Sequence, residues 1–192
     1  PAFNRDNVGL ITERASKITE TGIVDATGAS RDYDVIICAT GYQVDQFLMA
    51  LDVRGRNGVH IKEAWAHGAS AYLGITTNGF PNLFMTYGPN TNNGSLITMA
   101  EMEAAYMVRH VEWMDANDIS WMDVLPEVEK HYNDELQAQI SKVHLWQGAC
   151  HNYYFGGDGR IVTQYPLNMS TYRKLTMVPD WDNFEVQYGV PV

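Results

Sequence analysis

The sequence is short of cations and of cysteine. It has 13 Lys and Arg against 23 Asp and Glu, a formal charge of -10, and no basic run interrupts the acidic balance. A nucleic-acid backbone or an anionic membrane surface is therefore a poor partner. Two cysteines, Cys38 and Cys150, lie too far apart for a C-x-x-C metal or redox motif, and the reducing cytoplasm is the compartment they suit. The longest strongly apolar run, Val35-Ile36-Ile37-Cys38-Ala39, falls far short of the ~20 residues a membrane helix requires, so no membrane span is expected. The six histidines show no ligand spacing, and no metal site is expected. The start, Pro1-Ala2-Phe3-Asn4-Arg5, lacks the basic and apolar regions of a signal peptide and reads as an arbitrary beginning.

What is present is enough apolar side chain for a core: 45% of the 192 residues are hydrophobic, which predicts one domain, or one plus a piece of another. Residues 8–12, 16–20 and 22–25 read as strands of a small meander, with turns at Thr21-Gly22 and Thr27-Gly28. Residues 33–42 form an apolar β-branched run without polar alternation, ending in Ala39-Thr40-Gly41, and predict a strand buried on both faces as in a parallel sheet. Residues 55–79, rich in glycine and aromatics, read as loop with short helix, pinned by Trp65, Tyr72 and Phe80. A second buried strand is expected over 82–87. A helix follows over about 95–116, with Ile97, Ala100, Ala104, Met107, Val111 and Met114 on its apolar stripe and Glu101, Glu103, Arg109 and Glu112 largely off it. Another helix begins at Pro126, with Val128, Tyr132, Leu136, Ile140 and Val143 inward and Glu127, Glu129, Lys130 and Glu135 on a solvated face. Gly156-Gly157-Asp158-Gly159 reads as a hairpin turn and 160–166 as a strand.

The constellation richest in chemistry is the passage from strand to glycine loop to helix. The loop Gly88-Pro89-Asn90-Thr91-Asn92-Asn93-Gly94-Ser95 leads to a helix start whose first N–H groups lack intrahelical acceptors. That end attracts an anion or an electron-rich carbonyl. The same residues also suit an ordinary connection with Asn93 or Ser95 as N-cap. No lysine follows the loop, so it is not a P-loop. Thr40 and Gly41 sit where open α/β sheets place ligands, although a plain turn fits them equally. Cys150-His151 reads as a buried thiol beside a histidine rather than a nucleophile pair. The aromatic group Trp146, Tyr153, Tyr154, Phe155, Tyr165 and Tyr172 suits either an apolar pocket or core packing.

Asp34-Val35-Ile36-Ile37-Cys38-Ala39-Thr40-Gly41-Tyr42, Trp65, Tyr72-Leu73-Gly74 and Gly79-Phe80-Pro81-Asn82-Leu83-Phe84-Met85 running into Gly88-Pro89-Asn90-Thr91 resemble the carboxyl-terminal part of flavin-dependent monooxygenases of the Baeyer-Villiger type. Trp146 with Gly148, Gly159-Arg160 and Tyr172-Arg173 extend the match over nearly the whole chain. The resemblance implies an α/β fold, the carboxyl-terminal part of a Rossmann-like flavoprotein with two dinucleotide-binding domains, incomplete without its amino-terminal half. Residues 1–40 would be the last strands of the NADPH-binding domain and 41–192 the carboxyl-terminal portion of the FAD-binding domain. In that family NADPH reduces FAD, and the reduced flavin activates oxygen to convert a ketone to an ester or lactone, or to oxidise a sulfide or amine. Thr40, Gly41, Gly88, Pro89, Asn90, Asn93, Gly94, Ser95 and Leu96 would then lie against the cofactors. No catalytic residue is assigned, because the Gly-x-Gly-x-x-Gly fingerprints and the family's catalytic arginine have no counterpart here. The resemblance thus implies a fragment inactive by itself, completed by the missing amino-terminal segment or a second copy, and acting on a ketone or other small organic substrate. The alternatives are an N- or S-oxygenating flavin monooxygenase and a noncatalytic α/β binding or interaction module.

Overall fold

The computed structural model describes residues 1–41, 46–48, 50–146, 154–156 and 158–189. The chain comprises two compact units, Pro1–Gly41 and Tyr42–Val192.

The first unit is an antiparallel meander of β1 (Ala15–Ile18), β2 (Gly22–Asp25) and β3 (Ser30–Asp32), with β2 central. Its one buried carboxylate organises the β2–β3 turn. Asp25 accepts the backbone N–H groups of Thr27 at 2.9 Å and Ala29 at 3.1 Å, and pairs with Arg31 at 2.7 Å. Two expected strands are absent. Residues 8–12 are irregular, and so are 33–41, where Val35 and Ile37 stand 74% and 86% exposed. A strand buried on both faces needs neighbours on each edge and cover on each face, and among the described residues this run forms no strand pairing or bridge, only the Tyr33 N bond to Thr21 O at 2.9 Å.

In the second unit, α1 (Ile61–Ala64), α2 (Leu96–Ala116), β4 (Ile119–Val124), α3 (Pro126–Ile140), α4 (Met169–Met177) and β5 (Phe184–Tyr188) follow in order. The helices begin where their caps dictate: the Ser95 hydroxyl accepts from Thr98 N, Pro126 occupies the first turn of α3, and the Asn168 carbonyl oxygen accepts from Thr171 N. β4 and β5 pair antiparallel, Val124 opposite Phe184 and Met122 opposite Val186. The strands expected over 82–87 and 160–166 are instead irregular chain touching its neighbours at single points, such as Met85 N on Ile75 O at 2.8 Å and the bridge of Asn92 to Gln164. Gly156 N bonds Arg160 O at 2.8 Å, as a hairpin turn requires.

Three apolar clusters form the interior of this unit. Ile61, Trp65 and Phe80 anchor the first, Leu73, Ile75, Tyr106 and Val124 the second, and Met99, Leu136, Tyr165 and Tyr172 the third. Buried carboxylates fasten loops onto this frame. Asp123 accepts Gly79 N at 3.0 Å and pairs with Arg56 at 2.9 Å. Glu129 accepts Ser70 Oγ and Asn78 N, both at 2.6 Å, so the α3 face expected to be solvated is inward at this residue.

The long helix is rotated from expectation. Its buried face carries Met99, Glu103, Tyr106 and His110, whereas Ile97, Val108 and Val111 are 74%, 55% and 55% exposed. α2 is apolar on two sides, and periodicity alone does not say which side faces this chain.

The Arg31 guanidinium, aided by the Thr27 hydroxyl, holds the Asp25 carboxyl well below the usual carboxylate range. A depressed pKa contributes stability above the unfolded value, and that contribution is lost as pH falls through the folded one. Amide exchange of the meander should therefore stay slow at neutral pH and accelerate as pH drops below about 4. Asp25→Asn should weaken protection at neutral pH and flatten the acid limb; an unaltered acid limb in that variant would exclude the assignment.

Candidate functional site

The loop entering α2 is built from backbone-on-backbone contact. Gly88 is buried, and a Cβ placed on it would lie 2.1 Å from the Gly74 carbonyl oxygen. Gly74, at φ +70°, would put its own Cβ 2.1 Å from Thr91 Cγ2. The two turns approach this closely because both are glycine at the point of contact. Tyr87 and Asn90 take φ of 55° and 57°, a left-handed conformation that is uncommon outside glycine.

Hydrogen bonds then fix the loop against residues 161–167. Asn90 N bonds Val162 O at 2.8 Å, and its side-chain amide donates to Ile161 O at 2.8 Å and Gln164 O at 2.9 Å. Thr91 Oγ1 donates to Gly88 O at 2.8 Å. Asn93 spends its amide on Tyr165 O, at 3.0 Å, and Leu167 O. Both asparagine amides have therefore used both of their N–H donors within the protein. Gly88, Pro89 and Asn90 are buried, and Asn93 is half-buried. These four shape the loop from within.

The outer end is open. Gly94, Ser95 and Leu96 are exposed, with Gly94 at φ +56° and its Cβ position 2.6 Å from Met169 Sδ. Ser95 caps Thr98 N at 3.3 Å, so the orphan donors of the first turn are the N–H groups of Leu96 and Ile97. No acidic side chain stands in that turn. Neutral backbone donors at a positive helix end fit a carbonyl or anionic edge of a ligand, including the pyrimidine edge of a flavin. They supply one edge and do not enclose a ring. The cavity of about 280 Å³ between α2 and α4 is lined by Thr98, Met102, Arg109 and Arg173, and another of about 440 Å³ by Trp65, Glu129 and Arg160. None of residues 88–96 lines either.

Thr40 and Gly41 belong to the first unit, where both are exposed and Gly41 has φ +84°. The described members of the aromatic group pack together in the core: Tyr165 and Tyr172 lie edge to face, 5.1 Å apart, with Trp146, Tyr154 and Phe155 against the same cluster. Tyr153, Gly148, Cys150 and His151 lie outside the described residues.

Sequence reasoning missed two groups behind this loop. Glu103, fully buried, accepts Tyr87 N at 2.9 Å. Asp180 accepts the hydroxyls of Tyr72 at 2.9 Å and Tyr106 at 2.8 Å, and lies 3.3 Å from His110 Nε2. The only available signal for Glu103 was its position four residues from Met99 and three from Tyr106 on one helical face.

No family model matches the chain. It is 35% identical over 179 residues to a Baeyer-Villiger monooxygenase of Pseudomonas aeruginosa, covering 92% of this chain and 34% of that protein. It is 32% identical over 160 residues to cyclohexanone 1,2-monooxygenase of an Acinetobacter species, covering 81% and 29%. The structure of OTEMO in complex with FAD and NADP matches with a TM-score of 0.80 at 28% identity, covering 96% of this chain and 36% of that one. The chain's homologues are thus Baeyer-Villiger and cyclohexanone monooxygenases, as the resemblance of residues 72–91 implied, and the α/β fold is that of the matched part. The chain spans about a third of the length of the relatives it matches.

Gly88→Ala drives a methyl into the Gly74 carbonyl and should destabilise the second unit by about 2 kcal/mol or more, read from urea unfolding followed by tryptophan fluorescence. A loss under about 0.5 kcal/mol would mean the two turns are not held this close.

Proposed function

We propose that this chain is the carboxyl-terminal portion of an FAD- and NADPH-dependent monooxygenase that inserts one atom of O2 into a ketone to give an ester or lactone. The observation that carries the reading is the bared first turn of α2, with the Leu96 and Ile97 N–H groups open and no carboxylate competing for them. The 35% identity over 179 residues to a Baeyer-Villiger monooxygenase supports it. Residues 1–40 would belong to the NADPH-binding domain and 41–192 to the FAD-binding domain, with Thr40 and Gly41 at the junction.

Bound FAD, reduced by NADPH, would supply the oxygen-activating chemistry. The chain's own contribution is electrostatic and steric. Gly94, Ser95 and Leu96 front the ligand, and the α2 dipole favours negative charge at its pyrimidine edge. Gly88, Pro89, Asn90 and Asn93 hold the loop from behind. Because both Asn amides spend their N–H donors internally, they would orient the loop rather than donate to the ligand.

The outer face of α2 supports the remaining part of the proposal. Ile97, Val108 and Val111, each worth about 1.5–3 kcal/mol on burial, lie exposed on it together with Ala104. Polypeptide corresponding to the other two thirds of the relatives' length would cover this face and bring the nucleotide-binding glycine motifs, so the 192 residues alone would be inactive. An exposed free thiol, Cys38, suits a reducing compartment such as the cytoplasm.

The product of the natural gene that encodes this sequence should purify yellow and consume NADPH and O2 when a cyclic or linear ketone is added, with ester or lactone as product. The 192-residue chain alone should do neither. Ile97→Asp should lower flavin occupancy of the complete protein several-fold. A colourless complete protein, or one that oxidises NADPH with no change in ketone, would sink the proposal.

A further inference from the structure

Glu103 is fully buried on the inward face of α2, and among the described residues no cation pairs with it. Its Oε2 accepts the Tyr87 N–H at 2.9 Å, and its Oε1 lies 3.3 Å from the Tyr172 hydroxyl of α4. That hydroxyl also lies 2.7 Å from Leu73 O. Tyrosine has one proton to donate. The shorter contact takes it, since the Leu73 carbonyl can only accept. The contact between Glu103 Oε1 and Tyr172 Oη is then a hydrogen bond only if the proton comes from the carboxyl.

We infer that Glu103 is the positioning residue of the α2 entry loop and acts as a neutral carboxylic acid, accepting the Tyr87 N–H and donating to the Tyr172 hydroxyl. Every polar atom of the group is satisfied in this arrangement, and no unpaired charge is buried. Burial raises the carboxyl above its ordinary range, in the same direction. The consequence is mechanical. Tyr87 is a bulky residue held at φ 55° immediately before the glycine that rests on Gly74, a conformation that persists only where its surroundings over-determine it. Glu103 fixes the N–H of that residue from one helix, Tyr172 fixes the Leu73 turn from another, and the hydrogen bond between them sets the two turns in register. The donors of Leu96 and Ile97 are thereby placed. This last step alone rests on the cofactor reading.

The test uses the complete protein. Glutamine reproduces both hydrogen bonds, so Glu103→Gln should keep Tyr87 amide exchange within about twofold of the parent at neutral pH, while Glu103→Leu should speed it tenfold or more. The Glu103 carboxyl ¹³C resonance of the unsubstituted protein at pH 7 should be that of a protonated acid, a readout that needs no variant. An ionised resonance, a Gln variant as impaired as Leu, or a Leu variant with unchanged Tyr87 exchange would each overturn the inference. In the complete protein, Glu103→Leu should shift the flavin absorbance envelope and Glu103→Gln should not. If Tyr87 exchange responds as stated while no form of the complete protein binds flavin, the positioning role stands and the cofactor reading fails.

Discussion

A backbone N–H taken out of water needs an acceptor, and here carboxylates projecting from regular elements provide it for the irregular middle of the chain. Asp123 on β4 holds Gly79, Glu129 on α3 holds Asn78, and Glu103 on α2 holds Tyr87. A carboxyl group offers two oxygens and several lone-pair directions, so Asp123 reaches both Gly79 and Arg56 and Glu129 both Ser70 and Asn78. The arrangement has a cost in desolvation. Burial raises the Asp123 carboxyl even with the Arg56 guanidinium beside it, whereas Asp25, on the meander, is held low by Arg31. The difference is depth against partner: where a guanidinium and several donors converge on a small turn, the charge is favoured; where the acceptor sits behind packed helices, it is not.

The same constraint explains the inverted look of α2. Its inward face carries Glu103 and His110, and its outward face Ile97, Val108 and Val111. The inward polar atoms have specific obligations to this chain: Tyr87, Tyr172 and, through His110, Asp180. The outward residues have none. A largely apolar face can be completed by any surface of matching shape, and on the proposed reading it is the face that further polypeptide would cover.

Local signals were the legible ones. Helical periodicity with Ser95 and Pro126 located α2 and the start of α3 almost to the residue, because a helix satisfies its hydrogen bonds within its own segment, although α3 ends at Ile140 and leaves Val143 outside it. The adjacent meander strands expected over 16–20 and 22–25 were legible and appear as β1 and β2, whereas the others were not, because pairing between distant stretches is a property of two segments. Residues 33–41 and 82–87 have strand composition but bond the backbone of other described residues only at single points, while β4 and β5, separated by α3 and α4, form the one sheet of the second unit among the described residues. The roles of Glu103 and Glu129 were invisible for a related reason. On a helical wheel both read as charge off the apolar stripe, and only the position of residues 70–87 in space turns that charge inward.

The glycine loop stood out in the sequence and is a site on the proposed reading, but the work of its side chains was not legible. Asn90 and Asn93 look like ligand donors in the sequence, yet their amides are committed to residues 161–167. What is left facing outward is main chain, at Leu96 and Ile97. Main-chain donors are set in direction by loop shape and helix axis rather than by side-chain identity. On the proposed reading, recognition at this end of α2 would be encoded one layer back, in the glycines that let two turns touch and in the buried acid and tyrosine that hold them together, so that side chains distant from the ligand would carry the information its binding uses.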